Sequence, residues 1–238
     1  MEIAKDGRVR NFGSDNHANR RYSHEHASIQ QRDARGIRQG GVADEERKIE
    51  TPRISVVTCS FQQASYLEQA LRSVLEQAYP SLEYVVVDGG SSDGSAEIIR
   101  RHAPALAHWV SEPDGGQTQA LIKGFSRCTG DVLGWLCSDD LLLPGALRTV
   151  GEFFAAHPGV AAAYGDALWI DAGGRLLRPK REIDFSRFVL LHDHNYIPQP
   201  SMFWRRSLYD AVGGLDARFD LAMDADLWER FSASTRIA

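Results

Sequence analysis

Adjacent carboxylates at Asp139 and Asp140 are the residues of this sequence best suited to hold a metal ion. Because neighbouring carboxylates repel each other, a hard divalent cation such as Mg²⁺ or Mn²⁺ stabilises a site that contains both. Such cations take few protein ligands and complete their coordination with water and phosphate oxygens. The pair therefore predicts a metal-bound diphosphate, and the alternative is an acidic turn that caps the following helix.

Polar residues stand at the ends of four apolar runs, and the acidic pair belongs to the last of these groups. In chain order, the groups are Thr58 and Ser60, then Asp88, then Glu112 and Asp114, and finally Ser138 to Asp140. Each residue alone has a second interpretation, because Ser and Asp often cap the helix that follows a strand. Ligands of open parallel sheets bind beyond the carboxyl ends of the strands. Four such ends in series predict one ligand cleft along a single edge of the sheet.

The elements that must position these residues alternate between strands and helices. Short apolar and β-branched runs predict strands at 53–59, 83–88, 107–111 and 131–137. Apolar residues at helical spacing predict helices at 66–75, around Ile98 and Ile99, and at 116–126. Pro144 suits a first helical turn and predicts a fourth helix that ends near His157. This order predicts an α/β fold with a mostly parallel, Rossmann-like sheet flanked by helices.

The pattern changes after Val160. Residues 160–170 and 175–178 flank a Gly-containing turn and predict two strands of a hairpin. A further strand is predicted near residues 200–204, and a last helix near residues 222–231. A small antiparallel element therefore accompanies the parallel sheet.

Composition limits the classes of protein that this chain can represent. It has 238 residues, 43% of them hydrophobic, and a formal net charge of −5. These values predict one globular domain at residues 51–238, after a polar, disordered extension at residues 1–50. The mild acidity disfavours nucleic-acid binding, and the lack of a long apolar run disfavours a transmembrane segment or a secretory signal.

Short motifs narrow the classes further. Three cysteines without a CxxC pair disfavour a disulfide framework and favour a cytoplasmic protein. The sequence has neither a GxGxxG fingerprint nor a GxxxxGK[ST] motif, which disfavours a dinucleotide-binding fold and a P-loop. Without those glycine loops, a bound diphosphate would depend on a metal ion to neutralise its charge.

Four blocks resemble, in order and spacing, the signature of the family 2 glycosyltransferases, which have the GT-A fold. The blocks are residues 52–61, 87–95, 111–117 and 138–140, and the resemblance extends over about residues 52–231. It implies a nucleotide-diphosphate sugar as donor, with the antiparallel element on the acceptor side. Gln62, Ile122 and Met223 depart from the residues that are usual in the family.

The resemblance also implies the residues that hold the nucleoside. Asp88 matches the aspartate that bonds to the base. Thr58 and Phe61 fall where the first loop meets the base, and the Phe61 ring could stack on it. Asp114 and Gly115 match the block that lines the nucleoside.

For the diphosphate, the resemblance implies a metal site at Asp139 and Asp140, with Asp140 as the direct ligand and Mg²⁺ or Mn²⁺ as the cation. Lys123 is a further candidate near the phosphates. Asp139 is implied both as a metal ligand and as a residue that binds the nucleotide sugar.

On the acceptor side, the block from Met223 to Trp228 resembles the family's helix with the catalytic base, and Asp224 matches that base. Asp226 lies on another side of the helix, where an ion pair with Arg230 at i+4 is as good an interpretation as a catalytic role. Gln199 lies in the block at residues 192–201, which resembles the acceptor-side loop that precedes this helix.

The predicted function is that of an inverting, metal-dependent glycosyltransferase. It would use a UDP-sugar by default and a saccharide or lipid-linked acceptor, in polysaccharide or glycolipid synthesis near the inner face of the membrane. Two alternatives are open. The chain stops ten residues after Trp228, where the family normally continues, so a truncated nucleotide-binding remnant is one. A nucleotidyltransferase is the other, although residues 60–63 lack its Gly- and Arg-rich loop.

Overall fold

Strands and helices alternate through residues 51–238, which are the residues that the computed structural model describes. The extension predicted at residues 1–50 lies outside them. The strands are β1 (Ile54–Ser60), β2 (Leu82–Asp88), β3 (His108–Ser111), β4 (Val132–Trp135), β5 (Ala162–Ala163), β6 (Ala167–Ile170), β7 (Leu176–Lys180) and β8 (Phe203–Arg205). The helices are α1 (Ala64–Leu75), α2 (Ser95–His102), α3 (Gln117–Phe125), α4 (Ala146–Ala156), α5 (Arg187–His192), α6 (Arg206–Ala211) and α7 (Met223–Ser234). Within this described part, no helix is long and apolar enough to cross a membrane.

Six strands form the central sheet in the order β3-β2-β1-β4-β8-β5. The first four are parallel to one another, and β8 pairs antiparallel with both β4 and β5. The predicted α/β architecture with a mostly parallel sheet is confirmed. Strands β6 and β7 form a separate antiparallel pair, which confirms the predicted hairpin.

Strand β1 lies in the middle of this sheet and is buried along its whole length. Its side chains alternate between two hydrophobic clusters, one on each face of the sheet. Val57 and Cys59 belong to the cluster that also contains α3 and α7 side chains, whereas Ile54 and Val56 belong to the cluster beneath α1, α2 and α4. Burial on both faces explains why the strand reads as a continuous apolar run.

Residues 160–170, predicted as one strand, form two strands in different sheets. Between them, the Gly165 N–H donates to the Ser201 hydroxyl at 3.3 Å, and the Asp166 carboxylate accepts from the Glu182 N–H at 2.9 Å. These bonds pair the connecting residues with other segments, so the ladder of β5 cannot continue into β6. The prediction of a single strand was wrong for this reason.

The helix predicted to begin at Pro144 begins at Ala146. Gly145 has φ +82°, a left-handed conformation that cannot belong to a right-handed helix. Pro144 and Gly145 therefore form the turn that precedes α4, and Gln77 Oε1 accepts from the Leu147 N–H at 3.4 Å. Strand β4 likewise ends at Trp135 rather than at residue 137, because the chain then turns and the Asp140 N–H donates to the Cys137 carbonyl.

Aromatic side chains fasten α7 to the sheet. The Trp228 ring stacks on Trp135 with centroids 5.5 Å apart and meets Trp204 edge-on at 5.4 Å. Phe231 packs against Trp204 at 5.7 Å. Since Trp135 ends β4, this cluster fixes the helix that begins at Met223 relative to the strand that leads to Asp139.

A buried carboxylate holds the opposite end of the sheet. Glu83 on β2 accepts hydrogen bonds from the Ser55 hydroxyl at 2.5 Å and from the Thr129 N–H and hydroxyl at 2.5 and 2.8 Å. Arg53 forms an ion pair with it at 3.2 Å. Burial acts to raise the pKa of Glu83, but these bonds and the Arg53 charge outweigh it and lower the pKa below its ordinary value.

We expect Glu83→Gln to reduce the free energy of unfolding at neutral pH by about 2 kcal/mol or more, because the amide cannot accept all of these bonds. A lowered pKa in the folded state means that the contribution is complete above the ordinary Glu pKa and is lost as the pH falls through the folded-state value. The difference between the two proteins, measured by urea unfolding, should therefore shrink at acid pH.

Glu97→Gln is the matched control, since Glu97 is exposed and, among residues 51–238, pairs only with Arg100 at i+3. It should change the free energy of unfolding by less than about 0.5 kcal/mol. Equal effects of the two substitutions would contradict a structural role for the Glu83 network.

Candidate active site

Loops that follow β1, β2, β3 and β4 enclose a cleft of about 520 Å³, which we call the strand-end cleft. The Gly89 N–H donates to the Ser60 carbonyl at 2.9 Å and joins the ends of the two central strands. The lining residues are Cys59, Ser60, Phe61, Gln63, Gly89, Asp114, Gly116, Gln117, Ala120, Cys137, Ser138 and Asp139. The predicted ligand cleft at the carboxyl edge of the sheet is therefore present.

Phe61 and Asp114 meet across Gly89 at one side of this cleft. A methyl group at Gly89 would lie 3.2 Å from both Asp114 carboxylate oxygens and 3.2 Å from the Phe61 ring, so only glycine leaves this space open. Phe61 is 61% exposed, and Asp114 accepts the Gly116 N–H at 2.9 Å. An exposed aromatic face beside a carboxylate suits a flat heterocycle that carries an N–H group.

Thr58 and Asp88 lie behind the cleft rather than in its lining. Both are fully buried, and the Thr58 and Tyr84 hydroxyls are bonded at 2.9 Å. The Asp88 carboxylate accepts the Ser91 N–H and hydroxyl at 2.9 and 2.6 Å and the Ser111 hydroxyl at 2.6 Å. Bonds within the protein already involve the polar atoms of both residues, and the contact of either residue with a base stays a prediction.

Gly115 and Lys123 also lie outside the lining. The Lys123 ammonium forms an ion pair with Glu112 at 2.9 Å, and its place near the phosphates stays a prediction. Gly115 precedes α3, and a Cβ added to it would approach the Gln119 side chain of that helix. The loop around Gly115 contributes its neighbours Asp114 and Gly116 instead.

Three candidate metal ligands cluster at the end of β4. Ligand atoms of Cys137, Asp139 and Asp140 all lie within 4.8 Å of one another. Burial raises the pKa of Asp139. A hydrogen bond with the Cys59 thiol and burial hold the pKa of Cys137 well above its usual value. The two carboxylates are the hard donors among the three groups, and they fit a hard divalent cation.

A second cavity, of about 240 Å³, adjoins the first, and we call it the Asp224 cavity. Its lining residues are Cys137, Asp139, Asp140, Lys180, Asn195, Ile197, Pro198, Gln199, Pro200 and Asp224. Cys137 and Asp139 line both spaces. Asp139 therefore stands between a cleft that suits a heterocycle and a cavity that also contains the carboxylates of Asp140 and Asp224.

Asp224 lies in the first turn of α7, and burial raises its pKa. The Asn195 amide donates to Asp224 Oδ2 at 3.0 Å, which acts in the opposite direction by stabilising the ionised form. Gln199 is held by a bond from its Nε2 to the Trp135 carbonyl at 2.8 Å, and its Oε1 accepts from the Cys137 thiol at 3.4 Å. The structure thus brings Asp139, Asp140, Gln199 and Asp224 together.

Asp226 lies outside the Asp224 cavity. Its carboxylate forms an ion pair with Arg230, whose Nε is 3.0 Å away. Arg230 also donates to the carbonyls of Val212 and Gly214. The ion-pair interpretation of Asp226 agrees with this geometry, and the pair fixes the loop before α7.

Sequence reasoning missed Lys180 and Asn195 as lining residues. The side-chain oxygens Ser60 Oγ and Asn195 Oδ1 are buried and have no hydrogen-bond partner within residues 51–238. One lines the strand-end cleft and the other the Asp224 cavity, so both atoms are available to a ligand. The block at residues 192–201, which resembles the acceptor-side loop, contains Asn195 and was the available signal, whereas no local pattern indicates Lys180.

Comparison with known proteins identifies relatives of this chain. The profile of Glycosyl transferase family 2 matches residues 55–213. A protein of Mycobacterium tuberculosis named as an uncharacterized glycosyltransferase is 32% identical over 177 residues, which are 74% of this chain and 67% of that protein. The O-antigen biosynthesis protein RfbC of Myxococcus xanthus is 33% identical over 77% of this chain, which spans only 15% of the relative.

Solved structures share the fold. A mannosyltransferase from Pyrobaculum calidifontis, in complex with GDP-mannose and Mn²⁺, superposes with a TM-score of 0.60 at 22% identity, over 79% of this chain and 54% of that one. TarS of S. aureus in complex with UDP-GlcNAc gives 0.62 at 20% identity, over 78% and 55%. The chain thus spans about half the length of either solved protein. Its fold is the predicted GT-A fold, and the chain belongs to glycosyltransferase family 2.

Proposed function

We propose that the protein is an inverting glycosyltransferase that moves a sugar from a nucleotide-diphosphate sugar to a hydroxyl group of an acceptor. The observation that carries this proposal is the position of Asp139, which lines both the strand-end cleft and the Asp224 cavity. A donor in the first space and an acceptor in the second would meet at this carboxylate. The solved relatives in complex with GDP-mannose and with UDP-GlcNAc support a donor of this class.

In the proposed complex, the base stacks on Phe61, and the Asp114 carboxylate accepts a base N–H. Thr58 and Asp88 lie behind this position, and the Asp88 carboxylate holds Ser91 and Ser111 in place by accepting hydrogen bonds from their hydroxyls. UDP is the default nucleotide. Asp139 and Asp140 would hold Mg²⁺ or Mn²⁺ near the diphosphate, and the bound cation supplies neutralisation of the negative charge that develops on the leaving group.

Asp224 acts as the general base. Its raised pKa makes it a stronger base than an ordinary carboxylate, and the Asn195 amide orients it. It removes the proton of the acceptor hydroxyl as that oxygen attacks the anomeric carbon. The bond from that carbon to the diphosphate oxygen breaks, the diphosphate leaves with the electron pair, and a single displacement inverts the configuration.

The acceptor belongs, in this proposal, to polysaccharide or glycolipid synthesis, as a saccharide or a lipid-linked saccharide. The O-antigen protein among the relatives supports this context. The free thiols of Cys59, Cys128 and Cys137 suit a reducing compartment, so we place the protein in the cytoplasm, near the inner face of the membrane.

We expect calorimetric titration with UDP, GDP and dTDP to show Mn²⁺-dependent binding of one nucleotide. Phe61→Ala should weaken that binding about tenfold, because it removes a stacking surface. Asp140→Ala should abolish the dependence on Mn²⁺. Phe188→Ala is the matched control, since Phe188 is 73% exposed and lies outside both cavities. Failure of all three nucleotides to bind would overturn the proposal.

We expect Asp224→Asn to lower turnover at least a hundredfold while nucleotide affinity is unchanged. The measurement is the release of nucleoside diphosphate as the donor is hydrolysed. Because water takes the place of the natural acceptor, that acceptor need not be identified. Asp226→Asn, which removes a carboxylate from the same helix, should retain most of the activity. Nucleotide binding without any turnover by the unaltered chain would instead favour the nucleotide-binding remnant.

The pH profile tests the bond between Asn195 and Asp224. Because Asp224 acts in its ionised form, turnover should fall as the pH drops through its raised pKa. Asn195→Ala removes a bond that stabilises the ionised form, so the acid limb of the profile should move upward by about one pH unit. A limb that stays in place would show that Asn195 does not act through Asp224.

A further inference from the structure

Exposed apolar side chains are concentrated in one short stretch of the described residues. Four of the eight large apolar residues with exposed side chains lie within residues 176–188, and Phe188 is 73% exposed. These four are Leu176, Leu177, Ile183 and Phe188. Clustered apolar residues on the surface of a protein are typical of a site that binds another surface.

Two tyrosines fix this stretch on the body of the protein. The Lys180 ammonium donates to the Tyr196 carbonyl at 2.5 Å, and the Ser186 N–H donates to the Tyr196 hydroxyl at 2.7 Å. The Tyr164 hydroxyl donates to the Ile183 carbonyl at 2.5 Å, and the two rings are 6.1 Å apart. The end of β7, the following loop and the start of α5 are therefore held side by side.

The same stretch is basic, although the chain as a whole has a net charge of −5. Residues 175–192 contain two carboxylates, Glu182 and Asp184, against the five cations Arg175, Arg178, Lys180, Arg181 and Arg187. Arg175 pairs with Asp171 and Lys180 pairs with Glu182, whereas Arg181 and Arg187 make no ion pair with any described residue. Arg178 lies 4.0 Å from the centre of the Trp169 ring.

We propose that residues 175–192, the basic apolar surface, bind the protein to an anionic lipid bilayer. Exposed Leu, Ile and Phe can enter the boundary between headgroups and acyl chains, while Arg side chains remain among anionic headgroups. Charge complementarity favours a membrane over a protein partner. Lys180 ends β7 and lines the Asp224 cavity, so the bilayer would lie beside the acceptor; that last inference rests on the proposed function.

Co-sedimentation of the full chain with lipid vesicles tests this proposal. The protein should bind vesicles of phosphatidylcholine mixed with phosphatidylglycerol much better than phosphatidylcholine alone, and added salt should release it. Phe188→Ser should reduce the partition coefficient about tenfold, and Arg181→Gln about fivefold. Leu221→Ser is the matched control, because Leu221 is 96% exposed but lies outside the surface.

Thermal unfolding of each variant should match that of the unaltered chain, because these side chains make few contacts with the core. Equal binding to neutral and anionic vesicles, or equal loss in Leu221→Ser, would overturn the proposal. Nucleotide titration without vesicles separates it from the proposed function. A chain that binds nucleotide but no vesicle disproves the membrane surface alone, whereas vesicle binding without nucleotide binding disproves the donor site alone.

Discussion

The parallel pairing of β1 with both of its neighbours is the constraint on which the rest of the structure depends. Ser60 pairs with Asp88 on one side, so β1 and β2 end together, whereas β4 ends at Trp135, opposite Val57 of β1. A slip by one residue would exchange the two faces of the strand and place Cys59 in the opposite cluster. The full burial of β1 opposes such a slip, and this keeps the loops of the strand-end cleft together.

Carboxylates at the two ends of the sheet differ in their surroundings. Glu83 is surrounded by hydroxyl, amide and guanidinium donors, which lower its pKa. Asp139 and Asp224 lie at the other end with fewer donors, and burial raises the pKa of each. A carboxylate whose oxygens all accept hydrogen bonds within the protein is typical of a group that stabilises the fold. A carboxylate with few such bonds can still accept a cation or a proton from outside the protein.

Sequence reasoning identified the strands and the carboxyl edge because apolar runs and the polar residues after them are local patterns. The i+4 spacing of Asp226 and Arg230 likewise indicated their ion pair. The face of β1 on which Thr58 lies was not predictable, because the strand is buried on both faces and its sequence does not distinguish them. The separation of β5 from β6 depends on bonds to Ser201 and Glu182, which are distant in sequence.

The tryptophan cluster gives the protein a built-in optical reporter. Three of the five tryptophans, Trp135, Trp204 and Trp228, contact one another in the core, and one of them belongs to α7. Indole rings this close exchange excitation energy, and their emission depends on the polarity around them. Detachment of α7 from the sheet would expose Trp228 to water and shift this emission to longer wavelength. The integrity of the region around Asp224 can therefore be followed in solution without any added label.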